Sequence, residues 1–287
     1  MASLEPELIR QLVRVALAED RADEDVTTAA LVPREQTGRA VLIAKEPGVL
    51  AGLALARETF AAVDTSLAWA ASLADGAALR PGERVAEVRG ALGSILRGER
   101  VALNFLTHLS GVATAAAQVV ARLEGTGCRL RDTRKTIPGL RALEKYAVRA
   151  GGGTNHRMDL ADGILIKDNH LAALRARGLD IADAVRLARK AQGQMRIEVE
   201  VTDLEEAREA MAAGADELLL DNMSPGEIRN VVALAAGMEP RPVLEASGGI
   251  TLANARGVAE TGVDYISMGA VTHSAKALDM SLEVEAG

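Results

Sequence analysis

From Cys128 onward the chain repeats one pattern: a short apolar run ends in polar residues, and helix-spaced apolar residues follow. The runs are Cys128–Asp132, Gly163–Lys167, Arg196–Val201, Asp216–Asp221, Pro242–Ala246 and Asp264–Met268. Between them Leu204, Ala207, Ala210 and Met211 share one helix face before a stop at Gly214. Strands alternating with helices make right-handed βα units and a parallel sheet, either closed as a barrel or open and doubly wound. No Gly-x-Gly-x-x-Gly opens the first unit, and Gly151-Gly152-Gly153 lacks the spacing of a nucleotide phosphate loop, so the barrel is favoured.

Ahead of this repeat the pattern is different. An amphipathic helix opens the chain, and short strands Arg39–Ala44 and Glu83–Val88 follow, with turns at Glu46-Pro47-Gly48 and Arg80-Pro81-Gly82. This reads as a small α+β domain. A helical stretch from Ser94 to Glu124, with an interruption expected near Ser110-Gly111, bridges the two halves.

The charge is uneven. Between Arg129 and His170 nine lysines and arginines face five acids, a net of +4, which leaves about −11 for the rest of a chain at −7 overall. A positive segment in an acidic protein fits a pocket for a small anion better than a nucleic-acid surface. Arg141, Lys145 and Arg149, four apart, are expected on a solvated helix face. The one cysteine, Cys128, allows no intrachain disulfide and no cysteine-cluster metal site; it reads as a small buried residue in a cytoplasmic protein. The N-terminal stretch lacks the layout of a secretory signal, and no apolar run suggests a membrane span.

In barrels of this kind the reactive groups gather where strands end. Asp132-Thr133-Arg134-Lys135, Lys167-Asp168-Asn169-His170, Glu200, Asp221-Asn222, Ser247-Gly248-Gly249 and Gly269 all stand at such ends. Alternation along Arg196–Val201 turns Ile197, Val199 and Val201 to the helices and Glu198 and Glu200 to the lumen. A lumen holding Glu198, Glu200, Glu245 and Lys167 is costly unless these groups pair with one another, with a metal or with substrate. Glu200 and Asp221 suit magnesium, or else salt bridges to Lys135 or Lys167; Asp132 and Asp168 are weaker candidates. Arg134, Lys135, His156 and Arg157 suit carboxylates, while Ser247-Gly248-Gly249 and Gly269 suit a phosphate. His108 is expected to pack within its helix, and His170 carries no evident role.

The run Arg131–Arg141, Lys145-Tyr-Ala-Val148, Gly151–Arg157 and Ile166–His170 resembles quinolinate phosphoribosyltransferases. So do Asp25–Thr28, Gly98–Asn104, Glu198–Glu200, Leu220–Asn222, Glu245–Gly249 and Gly262–Tyr265, so the resemblance covers nearly the whole chain. It implies an N-terminal α/β sandwich over residues 1–108, an incomplete TIM-like α/β barrel over 109–270, and a tail, 271–287, that packs back on the first domain. It further implies a homodimer, conversion of quinolinate and phosphoribosyl pyrophosphate to nicotinate mononucleotide, pyrophosphate and CO2, and magnesium dependence. By motif matching, Arg134, His156, Arg157 and Lys167 face quinolinate, and Arg100 comes from the partner subunit. Lys135, Glu200, Asp221, Ser247, Gly248, Gly249, Gly269 and His273 serve the phosphoribosyl pyrophosphate and metal side.

Overall fold

A computed structural model describes residues 4–286. In chain order it contains α1 (Pro6–Glu19), α2 (Val26–Leu31), β1 (Thr37–Ala44), β2 (Gly48–Val49), α3 (Leu53–Val63), β3 (Ala68–Ala71), β4 (Ala78–Leu79), β5 (Arg84–Ala91) and α4 (Leu92–Leu123). Then follow β6 (Arg129–Arg131), α5 (Arg141–Ala150), β7 (Ile164–Ile166), α6 (Asp168–Arg175), α7 (Ile181–Gln192), β8 (Ile197–Val201), α8 (Leu204–Ala212) and β9 (Glu217–Asp221). The chain closes with α9 (Pro225–Ala235), β10 (Val243–Ser247), α10 (Ala255–Ala259), β11 (Tyr265–Ser267), α11 (Ala270–His273) and β12 (Met280–Ala286).

The chain divides into two compact units. The first comprises the described residues up to Ala117, Ile137–Gly152 and those from Val271. Its main sheet is antiparallel in the order β12-β1-β5-β3, so the last strand of the chain lies beside the first, with Ala44 opposite Met280. Ala40, Leu42 and Ala44 alternate into a core with Val85, Val88, Ile95, Leu103 and Leu106, where Phe60 stacks on Trp69 at 5.8 Å.

The helix α4 runs unbroken through Ser110-Gly111, against the interruption expected from the sequence. Its small residues are there for close packing. The Ser110 hydroxyl donates to the Ala51 carbonyl at 3.2 Å and accepts from the Ala51 N–H at 3.0 Å. A Cβ on Gly111 would overlap the Lys276 carbonyl oxygen and stand 3.0 Å from its carbon, so the C-terminal segment can press on the helix only at glycine. One turn earlier, the Leu278 N–H bonds the Thr107 carbonyl at 2.9 Å.

On α5 the structure corrects a second expectation. Lys145 is fully buried and Arg141 and Arg149 are half-buried, rather than forming a solvated face. Spacing by four cannot tell solvent from protein. Here α5 is anchored through the Tyr146 hydroxyl, which donates to Asp75 at 2.6 Å, and through the fully buried Glu144. Glu144 meets His108 Nε2 at 3.0 Å, so His108 has a carboxylate partner and does more than pack.

The second unit, Gln118–Thr136 and Gly153–Ala270, carries six parallel strands in the order β6-β11-β10-β9-β8-β7. Helices α7, α8 and α9 bury apolar stripes such as Ala207, Ala210 and Met211. Ile197, Val199 and Val201 are fully buried, as the alternation requires. Among the described residues no ladder joins β6 to β7, so the barrel is incomplete at that seam. The expected strand positions and their polar ends are reproduced within one to three residues.

Replacing Gly111 by Ala separates packing from helix propensity. Propensity alone predicts a gain of about 1 kcal/mol. The overlap with Lys276 predicts a net loss of about 1–3 kcal/mol in denaturant unfolding. A stabilised variant would refute the close approach.

Candidate active site

The C-terminal ends of the parallel strands open onto a cavity of about 330 Å³ in the second unit. Arg134 and Lys135 reach it from the loop after β6, His156 and Arg157 from the loop after α5, and Lys167 from the end of β7. Glu200 of β8, Asp221 of β9, Glu245 and Ser247 of β10 and Ser267 of β11 complete the wall. Nine of the residues singled out from the sequence therefore converge: Arg134, Lys135, His156, Arg157, Lys167, Glu200, Asp221, Glu245 and Ser247. Gly248 and Gly249 line a neighbouring hollow that shares Ser247, and Gly269 follows β11. Arg100, exposed on α4, and His273, on α11, lie in the first unit.

Each group is held by a local cause. Fully buried Asp132 spends one carboxylate oxygen on the His156 N–H at 2.8 Å and the other on the Asn155 side chain at 2.5 Å. It fastens the His156-Arg157 loop to β6, which leaves it poorly suited to the metal role considered for it. The Arg157 N–H donates to His156 Nδ1 at 2.7 Å, and its guanidinium donates to the Gly163 carbonyl at 2.8 Å. Burial, then the nearby Arg134, pull the Arg157 guanidinium below its ordinary value, so it gains most from an arriving anion. His170, without a role in the sequence, accepts the Lys167 N–H on Nδ1 at 2.9 Å and caps α6.

Lys167 pairs with Glu200, realising one of the two readings open for that acid. Asp221 accepts from the Asn222 side chain at 2.8 Å through Oδ2. Glu200 and Asp221 are oxygen donors at the ends of adjacent strands and line one cavity, a donor set that fits magnesium with a shell completed by water or phosphate. Asp168, exposed at the start of α6, turns one carboxylate oxygen onto the Asn169 N–H at 2.7 Å. Gly248 sits at φ +83°, where a Cβ would run into the Asn222 side chain, and Asn222 itself is left-handed at φ +56°. That interlock between two strand-end loops is invisible in the sequence.

Beneath the mouth lies a charged layer that the sequence reading only half foresaw. Arg131 is buried and donates to both Glu217 and Glu245, with its guanidinium 3.7 Å from the Tyr265 ring centroid. His156 Nε2 meets Glu198 at 3.0 Å and Glu245 at 3.8 Å. Glu198 and Glu245 were expected in the lumen; Arg131 and Glu217 were not singled out. The signal was the same alternation, since Arg129 and Arg131 share a strand face. Burial, then the Glu198 charge, push Glu245 up to about 7 against the pull of Arg131 and His156, and Glu217 is raised by the same causes. For His156, burial opposes the charged form, but Glu198 and Glu245 outweigh it and favour a value above the ordinary one. Cys128 is buried and its thiol is pushed up to about 12 by burial, so it is no nucleophile.

Residues 112–283 match the family model described as quinolinate phosphoribosyl transferase, C-terminal domain, and residues 25–110 match its N-terminal counterpart. The chain belongs to the quinolinate phosphoribosyltransferase family. It is 44% identical over 96% of its length to a probable nicotinate-nucleotide pyrophosphorylase (carboxylating) of Bacillus subtilis, covering 93% of that protein. To the human nicotinate-nucleotide pyrophosphorylase (carboxylating) it is 42% identical, over 96% of this chain and 93% of the human one. A solved structure titled NadC from Streptococcus pyogenes superposes with a TM-score of 0.94 at 41% identity over the full length of both chains. The nicotinate-nucleotide pyrophosphorylase of Francisella tularensis gives 0.92 at 39% identity, covering 99% of this chain and 98% of the other.

The buried layer makes stability of this family member depend on pH. A carboxyl raised from 4.5 to about 7 in the fold binds its proton more tightly when folded. Its contribution is complete below pH 4.5 and lost as pH rises toward 7, by at most about 1.4 kcal/mol per pH unit. Glu245→Gln should flatten unfolding free energy across this window; curves running parallel to wild type would show that Glu245 is not the group.

Proposed function

We infer that the chain transfers the phosphoribosyl group of phosphoribosyl pyrophosphate to the ring nitrogen of quinolinate, releasing pyrophosphate and CO2 and leaving nicotinate mononucleotide for NAD biosynthesis. The observation that carries this is one 330 Å³ cavity lined by Arg134, Lys135, Arg157 and Lys167 together with Glu200 and Asp221. A dicarboxylate suits the four cations, because guanidinium forks bind carboxylates at two points and lysine adds a point charge. Glycine turns at Gly248, Gly249 and Gly269, with Ser247, suit the sugar phosphate.

Charge then dictates the steps. Arg134, Arg157 and Lys167 hold the two carboxylates and aim the ring nitrogen at the sugar carbon, while Lys135 steadies the departing pyrophosphate. Glu200 and Asp221 would hold magnesium, which neutralises charge on the pyrophosphate. The sugar carbon gains oxocarbenium character as the bond breaks, and the nitrogen attacks it. Once alkylated, the nitrogen is cationic and stabilises the electron pair left on the adjacent ring carbon when its carboxylate leaves as CO2. Protonation of the resulting ylide completes the product.

The homodimer with Arg100 acting in trans is the reading we carry from the family resemblance, supported by the exposure of Arg100 on α4. No described helix is long and apolar enough to cross a membrane. A cytoplasmic setting rests on the single free cysteine.

Purified protein with magnesium, phosphoribosyl pyrophosphate and quinolinate should yield nicotinate mononucleotide and CO2, and EDTA should stop it. Nicotinate, lacking one carboxylate, would leave an arginine unpaired and should react about a thousandfold less efficiently. Equal turnover of nicotinate overturns the substrate assignment. Arg100→Ala and Lys167→Ala, each nearly inactive, should recover roughly a quarter of wild-type activity when their subunits exchange, because mixed dimers hold one intact site. Proven exchange without recovery places Arg100 outside a shared site.

A further inference from the structure

Family resemblance assigns His156 a place facing quinolinate, yet both its ring nitrogens are already committed within the protein. Nδ1 receives the Arg157 N–H at 2.7 Å, and Nε2 faces Glu198 at 3.0 Å. An accepting Nδ1 must keep its lone pair, because protonation there would place two hydrogens between nitrogens 2.7 Å apart. The hydrogen therefore sits on Nε2 and is donated to the carboxylate. The electrostatic pull of Glu198 and Glu245 toward an imidazolium acts against this contact, and the contact decides.

We propose that Glu198 and His156 are positioning residues: Glu198 fixes the Nε2–H tautomer of His156, whose Nδ1 lone pair then holds the Arg157 main chain and so sets the guanidinium that grips a substrate carboxylate. The relay is complete at both ends. His156 is fastened at its own N–H by Asp132, and the Arg157 guanidinium is tied to the Gly163 carbonyl. Glu198 is 5% exposed and lies on the lumen face of β8, beneath the cavity wall that holds Arg157. Its second oxygen has no hydrogen-bond partner among the described residues, so its bonding is concentrated on His156.

A metal centre is the other reading of this place, since ligand atoms of His156, Glu198 and Glu245 lie within 4.8 Å of one another. It fails on the same geometry. A cation on Nε2 would require an imidazole with lone pairs on both nitrogens.

The inference rests on the reading that the cavity takes quinolinate, but its first test does not. Nitrogen-15 NMR of the ring nitrogens in the free, full-length protein at pH 7, with His156→Asn identifying the resonances among four histidines, should show a neutral His156 protonated on Nε2. An imidazolium or an Nδ1–H tautomer overturns the relay. The second test is calorimetric. Glu198→Leu should weaken quinolinate binding about tenfold or more, since a bond to a charged group is lost. Affinity for phosphoribosyl pyrophosphate should stay within about twofold, because Glu198 touches none of the groups assigned to that side. Glu198→Gln, which keeps an acceptor, should restore quinolinate binding to within about threefold of wild type. Unchanged quinolinate binding in Glu198→Leu, or equal weakening of both ligands, refutes the positioning role. Wild-type protein that binds no quinolinate would instead refute the substrate assignment, with the tautomer still measured. If Glu198→Leu does not fold, the NMR result and the Glu198→Gln affinity decide.

Discussion

A single guanidinium holds the interior of the barrel together. Arg131 enters a lumen that three buried glutamates, Glu198, Glu217 and Glu245, would otherwise make untenable, and it bonds two of them while lying over Tyr265. Ionised groups lose several kcal/mol of hydration apiece on burial, which only close pairing and shared protons return. The raised proton affinities of Glu217 and Glu245 show the same balance: one arginine does not satisfy three carboxylates, so the layer retains protons. A lumen packed with aliphatic side chains would be easier to stabilise. What the charged layer supplies is a fixed set of acceptors under the active-site loops.

Those acceptors explain how a cluster of cations survives above. Arg134, Arg157, Lys135 and Lys167 line one cavity, and Arg157, through burial first and the nearby Arg134 second, has a weakened hold on its proton. Asp132 and Glu198 hold the loop carrying two of the site residues, and Glu200 pairs with Lys167. The mouth is thus preorganised for anions by acids that hold its loop and its lysine in place. Beside it, the interlock of Asn222 and Gly248 joins the carboxylate end of β9 to the glycine turn after β10.

Much of this was legible in the sequence, because strand ends announce themselves through composition. Lys167, Glu200, Asp221 and Ser247 each follow an apolar run, and one rule of barrel geometry gathers them. The α/β architecture followed from the same rhythm. What the sequence hid were contacts between residues far apart in the chain. Arg131 stood in a strand as visibly as Glu198, but its partners lie 86 and 114 residues away. Gly111 looks like a break because propensity is local, whereas its reason is the Lys276 carbonyl. The burial of Lys145 is hidden because spacing reports a helix face and says nothing of what covers it.

Unfolding free energies of Arg131→Met and of the triple variant Arg131→Met, Glu217→Met, Glu245→Met test this account most directly. Removing the arginine alone strands its carboxylates and should cost about 3–5 kcal/mol, while removing all three charges should recover most of that loss. An Arg131→Met protein within about 1 kcal/mol of wild type, or a triple variant no more stable than the single one, would contradict the claim that this guanidinium holds the barrel interior.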